Sequence, residues 1–266
     1  MNCNLILPGF AKCGTSSLHE YLSLHPEICM SSVKEPHYFS VASRMARGAA
    51  WYDSLFEDAG PKVKIFGESS TSYSVWEPSL VRIRNSLQNP RIIVIMRHPL
   101  ERLLSHYRWM YALGFENRNL KKALVNEANS VVSPERHING CYPWYRRCSH
   151  YSYFVPLMQM VFEPENVLLL RSSTLLDSPN EALRKCFEFL GVAPFNVQCE
   201  IRTNATDEKV VAKYKGLRRV VRRLPSFVHA PIKLMETHFN IGTRRLIAPV
   251  PTESFLESLS LDLAED

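Results

Sequence analysis

Residues 4–24, NLILPGFAKCGTSSLHEYLSL, constrain the fold more than any other stretch of the chain. Leu5, Ile6 and Leu7 suit a buried strand, and Pro8-Gly9 breaks it. Thr15, Ser16 and Ser17 are helix-capping types, after which Leu18, Tyr21 and Leu22 recur at helical spacing. A strand that feeds a glycine-bounded loop and a helix start points to an α/β protein. There, backbone N–H groups and the helix macrodipole converge on a phosphate-like anion. The order is Gly9-x-x-Lys12-x-Gly14-Thr15-Ser16. It differs from G-x-x-x-x-G-K-[ST], in which the lysine directly precedes the hydroxyl residue. Taken alone, the loop also reads as an ordinary surface turn.

A second strand-to-helix turn repeats the theme. Arg91–Met96 is apolar and β-branched, as a buried strand requires, and it runs into Arg97-His98-Pro99. Pro99 suits the first turn of a helix whose expected core face is Leu100, Leu103, Leu104 and Tyr107. Arg97 at the strand end and Ser105 one turn into the helix can grip a second phosphate, with a charge-assisted bond from the arginine. The plainer reading is a structural arginine at a strand end. Between these turns lies Lys34-Glu35-Pro36-His37-Tyr38-Phe39. Pro36 biases Glu35 toward extended backbone, where Glu35 and His37 share a side. A carboxylate fixed near an anion loop can serve as general base for an acceptor hydroxyl. A solvated Lys34–Glu35 pair is the alternative.

All three strings resemble those of the sulfotransferases that use 3′-phosphoadenosine 5′-phosphosulfate (PAPS). The first loop is similar to their G-x-x-K-x-G-T-[ST] 5′-phosphosulfate loop. K-E-P-H-Y-F resembles the K-E-x-H-F-F segment of the glycosaminoglycan (heparan sulfate type) branch and its bacterial relatives. Arg97 to Tyr107 resembles the R-x-P-x-x-R-x-x-S-x-Y string of their 3′-phosphate site. The resemblance spans roughly residues 4–195. It implies an α/β, P-loop-like three-layer sandwich with a central, mostly parallel sheet, the sulfotransferase fold. It implies in-line sulfuryl transfer from PAPS, releasing PAP, to a hydroxyl or amine on a carbohydrate or glycolipid. Glu35 maps onto the base, Lys12 onto the group stabilising the leaving phosphate, and His37 onto an orienting or substrate-binding group. Gly9, Lys12, Cys13, Gly14, Thr15, Ser16 and Ser17 map onto the 5′-phosphate site, Arg97 and Ser105 onto the 3′-phosphate site. No metal is implied.

Val63–Val75 reads as another strand of the sheet, opening into a polar loop with Glu68, Ser69, Ser70 and Tyr73. Ser69 stands where eukaryotic glycosaminoglycan members carry a lysine, so acceptor detail does not transfer there. Tyr73 either lines the acceptor cleft or packs. Residues 140–148, GCYPWYRRC, are aromatic and basic; Trp144 and Tyr145 read either as a sugar-stacking surface or as packing anchors. Helices are expected over Tyr151–Phe162 and over Ser178–Leu190, closed by Gly191, with a strand at Val167–Leu170.

At 266 residues the chain is expected to form a single domain, 1–266, with its core over 4–195 and a basic region over 196–266. Between Lys209 and Arg223, basic side chains alternate with apolar ones at near-helical spacing. This reads as a solvated helix face, or as one for steering donor, holding an acidic glycan or touching a membrane peripherally. No terminal helix is evident before Asp266. The balance of 32 basic and 26 acidic residues, net +6, suits anionic ligands without implying nucleic acid. The 7 cysteines show no zinc spacing and read as reduced thiols, with Cys141–Cys148 the one conceivable pair. No apolar run approaches the ~20 residues of a membrane span, and the first strand starts close to Met1. A cytoplasmic chain is therefore expected, without the N-terminal anchor of animal Golgi members. Two rival functions remain, a P-loop kinase using Mg-ATP and a non-catalytic nucleotide- or glycan-binding protein on the same scaffold.

Overall fold

The computed structural model describes residues 1–131, 133–134, 142–198, 211–212, 243–244 and 248–264. Its strands are β1 (Leu5–Gly9), β2 (Ile28–Met30), β3 (Ile65–Ser69), β4 (Arg91–Met96) and β5 (Val167–Arg171). They form one parallel sheet in the order β2-β3-β1-β4-β5. Unbroken apolar runs put β1 and β4 at its centre: Leu5, Ile6, Leu7, Ile92, Ile93, Val94 and Ile95 are wholly buried. Beside β1 lie β3 on one side and β4 on the other, so the strand order reverses there. Open α/β sheets bind ligands beyond the carboxyl ends of their strands at such a switch point. The loops leaving β1 and β4 are the two anion-site candidates of the sequence.

The helices are α1 (Thr15–Ser23), α2 (Ala42–Met45), α3 (Gly48–Asp53), α4 (Glu77–Ser86), α5 (Pro99–Ala112), α6 (Leu120–Ala128), α7 (Tyr151–Phe162), α8 (Ser172–Asp177), α9 (Pro179–Leu190) and α10 (Glu253–Ala264). Helix α1 packs on β2 and β3, and α7, α8 and α9 pack on β5. Gly191 ends α9 in the left-handed region at φ +67°, as its position predicts.

The structure corrects three expectations about elements. The buried face of α5 is Arg102, Leu103, His106, Tyr107 and Met110, one residue round from the expected one, while Leu100 and Leu104 are only partly buried. A terminal helix does exist: α10 sets Leu259 and Leu263 into an apolar cluster with Leu103, Tyr107 and Met110 of α5. Of the expected basic helix over 209–223, Val211–Ala212 forms a short antiparallel pair with Thr243–Arg244 instead, and the rest lies outside the described residues. Cys148 is a free, buried thiol, and Cys141 lies outside the described residues.

Candidate active site

The first loop leaves β1 through Gly9, at φ +144°, where a β-carbon would stand 2.6 Å from Ser74 Oγ. Any side chain there would crowd Ser74 and strain the backbone. Gly14 caps α1 in the left-handed region, φ +101°, so the helix proper opens at Thr15. The intrahelical ladder starts with Leu18 N–H donating to Gly14 O at 3.0 Å. The N–H groups of Thr15, Ser16 and Ser17 therefore belong to the first turn, the part of a helix that receives anions. Thr15 is buried and Ser16 and Ser17 are half-buried. Lys12, at φ +69°, sends its ammonium over the ring of Trp109 in α5, 5.1 Å from the centroid. Cys13 faces inward. Its side chain is wholly buried and its N–H donates to Phe10 O at 3.3 Å, so it turns into the core rather than toward a ligand.

At the neighbouring turn, Arg97 Nε donates to Glu101 Oε2 at 3.0 Å, an exposed i,i+4 pair. Ser105 sits half-buried two turns into α5. Tyr151 of α7 joins the two turns: its ring packs on Phe10, while its hydroxyl meets Cys13 Sγ and the Arg97 N–H, each at 3.5 Å.

Glu35 and His37 lie beyond the end of β3. The Glu35 N–H donates to Ser69 O at 2.9 Å. Its Oε1 accepts from Lys34 Nζ at 2.9 Å, and its Oε2 accepts from Thr71 N–H at 2.8 Å and Thr71 Oγ1 at 3.2 Å. Pro36 does not hold Glu35 extended as expected; Glu35 and His37 both take positive φ, +61° and +53°. Burial pushes the Glu35 pKa up, but the Lys34 ammonium, His37 and the Thr71 N–H outweigh it and hold the carboxyl below its usual range. His37 Nε2 stands 3.5 Å from Glu35 Oε2, and its Nδ1 meets Ser72 Oγ at 2.8 Å. Burial lowers the His37 pKa against the pull of the Glu35 charge, and Lys34 is the more effective partner of Glu35.

Two tentative acceptor residues take the packing alternative. Tyr73 and Trp144 are both wholly buried and offer no face to a sugar. Tyr73 accepts the Phe39 N–H at 3.1 Å. Trp144 stacks on Tyr142 at 4.4 Å, and Tyr142 donates to Thr71 Oγ1 at 2.9 Å, so its place is behind the Glu35 site.

A family model described as the sulfotransferase domain matches residues 3–220. The chain belongs to the sulfotransferase family. Relatives include the membrane-associated sulfotransferase kil1 of Dictyostelium discoideum, 36% identical over 137 residues, which are 51% of this chain and 28% of that protein. The heparan sulfate glucosamine 3-O-sulfotransferase 3B1 of Mus musculus is 29% identical over 195 residues, 70% of this chain and 45% of that protein. The chain thus spans less than half the length of these curated relatives. A solved sulfotransferase from Alicyclobacillus acidocaldarius matches with TM-score 0.65 at 25% identity, covering 90% of this chain and 96% of that one. The α/β class and sulfotransferase fold expected from the sequence are those found. No helix among the described residues is long and apolar enough to cross a membrane.

Three residues at this candidate site were passed over in the sequence. Trp109 carries the Lys12 ammonium on its face. His19, buried on α1, bonds Ser69 Oγ at 2.8 Å, and burial with the nearby Lys34 takes its pKa down to about 4. Arg102, the middle arginine of the R-x-P-x-x-R string, is wholly buried and donates to Ala11 O in the first loop at 3.3 Å. Its signal was an arginine within the apolar periodicity of α5, a place where charge is rare unless it has partners.

Proposed function

We propose that this chain transfers the sulfuryl group of PAPS to a hydroxyl or amine, on a carbohydrate or glycolipid acceptor. One observation carries the reading. Thr71 binds Glu35 Oε2 through both its N–H and its hydroxyl, and its carbonyl lies 3.5 Å from where a β-carbon on Gly9 would stand. The candidate base and the anion loop are thereby built on one turn, at the switch point of the sheet.

The residues present fit such a donor. Lys12, the hydroxyls of Thr15, Ser16 and Ser17 and the first-turn amides of α1 suit the 5′-phosphosulfate. Arg97 and Ser105 suit the 3′-phosphate. Charge develops on the leaving phosphate oxygen and the sulfuryl oxygens, and groups already fixed in place stabilise it without reorganising. Glu35, ionised at neutral pH, receives the acceptor proton, and His37 braces its Oε2 edge. The acceptor class is supported by the K-E-P-H-Y-F segment and by relatives whose names specify heparan sulfate glucosamine.

The test compares thermal shifts with PAP and with Mg-ATP, for the wild type and Arg97→Ala, then transfer of labelled sulfuryl from PAPS to a panel of glycans. A ligand of the native state raises the melting temperature with affinity and concentration. The expected outcome is a shift with PAP, lost in Arg97→Ala, and labelled glycan. A shift with Mg-ATP alone overturns the donor assignment in favour of a kinase. PAP binding without transfer to any glycan, amine or lipid acceptor favours a non-catalytic binding protein.

A further inference from the structure

Arg102 is among the most deeply buried large side chains of the protein, fully enclosed beneath the first loop. Its Nε donates to Ser149 Oγ at 2.7 Å, its Nη1 to Ala11 O and to His106 Nδ1, both at 3.3 Å, and its Nη2 to Tyr145 O. Ser149 Oγ in turn donates to Pro99 O at 3.1 Å, at the start of α5. Because a guanidinium only donates, His106 Nδ1 is an acceptor, so that ring is neutral with its proton on Nε2. Every hydrogen-bond partner of this cation is thus a neutral acceptor; the Glu127 carboxylate acts on it only through space, its oxygens accepting from the Arg146 and Arg147 N–H groups.

That arrangement is expensive for a merely structural tie. Removing a charge from water costs several kcal/mol, which a carboxylate partner would offset and neutral acceptors offset less well. Ala11 immediately precedes Lys12, whose left-handed backbone (φ +69°) is unfavourable for a residue with a β-carbon. Such a conformation persists only where its surroundings over-determine it. Helix α5 supplies both constraints: Arg102 holds the carbonyl before Lys12, and Trp109, two turns on along the same face, lies under its ammonium.

We propose that Arg102 is a positioning residue for sulfuryl transfer: acting from behind the first loop, its guanidinium fixes where Lys12 stands relative to α5. The same helix opens beside Arg97 and carries Ser105, so the clamp also registers Lys12 against the second anion site. The inference rests on the role proposed above for Lys12. It predicts loss of turnover with retained donor affinity when the fork is replaced by a point charge, since lysine keeps the cation but not the rigid set of donors.

The test is a double-mutant cycle of Arg102→Lys and Lys12→Ala, with turnover of PAPS and acceptor measured beside PAP affinity. In the wild-type background, Arg102→Lys is expected to lower kcat about 10- to 100-fold, the scale of an ångström-sized misplacement. PAP affinity should stay within about fivefold, because the charge remains. In the Lys12→Ala background the same substitution should change kcat by less than about twofold, because Arg102 acts through Lys12. Ser149→Ala removes one anchor of the guanidinium and almost no bulk. It carries the same cycle if the arginine variant does not fold, with a smaller loss again confined to the protein that retains Lys12. Equal losses in both backgrounds, or wild-type turnover by Arg102→Lys, overturn this inference alone. Wild-type turnover by Lys12→Ala overturns the Lys12 role itself.

Discussion

A carboxylate that collects a proton late in a reaction must be ionised beforehand, and the surroundings of Glu35, the proposed base, favour that form. Its depressed pKa keeps the base form down through the ordinary carboxylate range, so the acid limb of kcat/KM should lie below the usual glutamate value. Lys34→Ala removes the principal cation and should move that limb to higher pH; an unmoved limb would mean that another group is being titrated. Glu35→Gln should lower kcat by about 10²-fold or more while PAP affinity is unchanged, the range for losing a general base. Arg97 presents a different case. Its guanidinium is engaged by Glu101 across an exposed pair, and exposed pairs are worth about 0.2–1 kcal/mol. A 3′-phosphate competes with that carboxylate, so Glu101→Ala should tighten PAP binding by up to about fivefold, as read by calorimetric titration. Weaker binding in that variant would place Glu101 on the side of the donor site.

At the scale of elements, legibility followed periodicity. The strands β1 and β4, and the helices α7 and α9, were evident because unbroken apolar runs or a strong 3.6-residue repeat leave one buried solution. Helix α10 was hidden by its sequence, ESFLESLSLDLA, whose second half alternates with period two and reads as strand. Tertiary contact decides it instead, through Leu259 and Leu263 at i and i+4 against α5. Leu259→Ala should therefore cost about 2–3 kcal/mol in urea denaturation with an unchanged m value, as for a buried leucine with partial collapse of its site. A cost below about 0.5 kcal/mol would mean that α10 is not held there. Aromatic composition misled in the opposite direction. Tyr142, Trp144 and Tyr145 occur among arginines, a mixture that suits a sugar surface and a core equally, and burial puts all three inside. The residues proposed to face an anion were legible because ligand chemistry restricts their types. Their supports, Arg102 and Trp109, were not, because a support is defined by what it touches.

Across the whole molecule, the switch-point architecture gathers strand ends, and with them buried polar groups. Glu68 is the extreme case, wholly buried at the end of β3. Ser70 Oγ donates to its Oε2 at 2.9 Å and accepts the His37 N–H at 3.0 Å, and Tyr52 donates to its Oε1 at 3.2 Å. Burial pushes the Glu68 pKa up to about 7 despite these bonds and that of Tyr73, with the nearby Glu35 charge adding to the rise. The folded state thus binds this proton more tightly than the unfolded chain does. The stabilisation is complete below the unfolded value, near 4.5, and is lost as pH rises through about 7. A difference of that size corresponds to about 3 kcal/mol. Glu68→Gln keeps an uncharged group of the same shape and removes the titration. The variant should therefore gain stability relative to the wild type between pH 5 and pH 8, by on the order of 3 kcal/mol, in paired urea titrations. Parallel pH profiles for the two proteins would show that Glu68 is ionised throughout, its charge held by the three hydroxyls rather than by a proton.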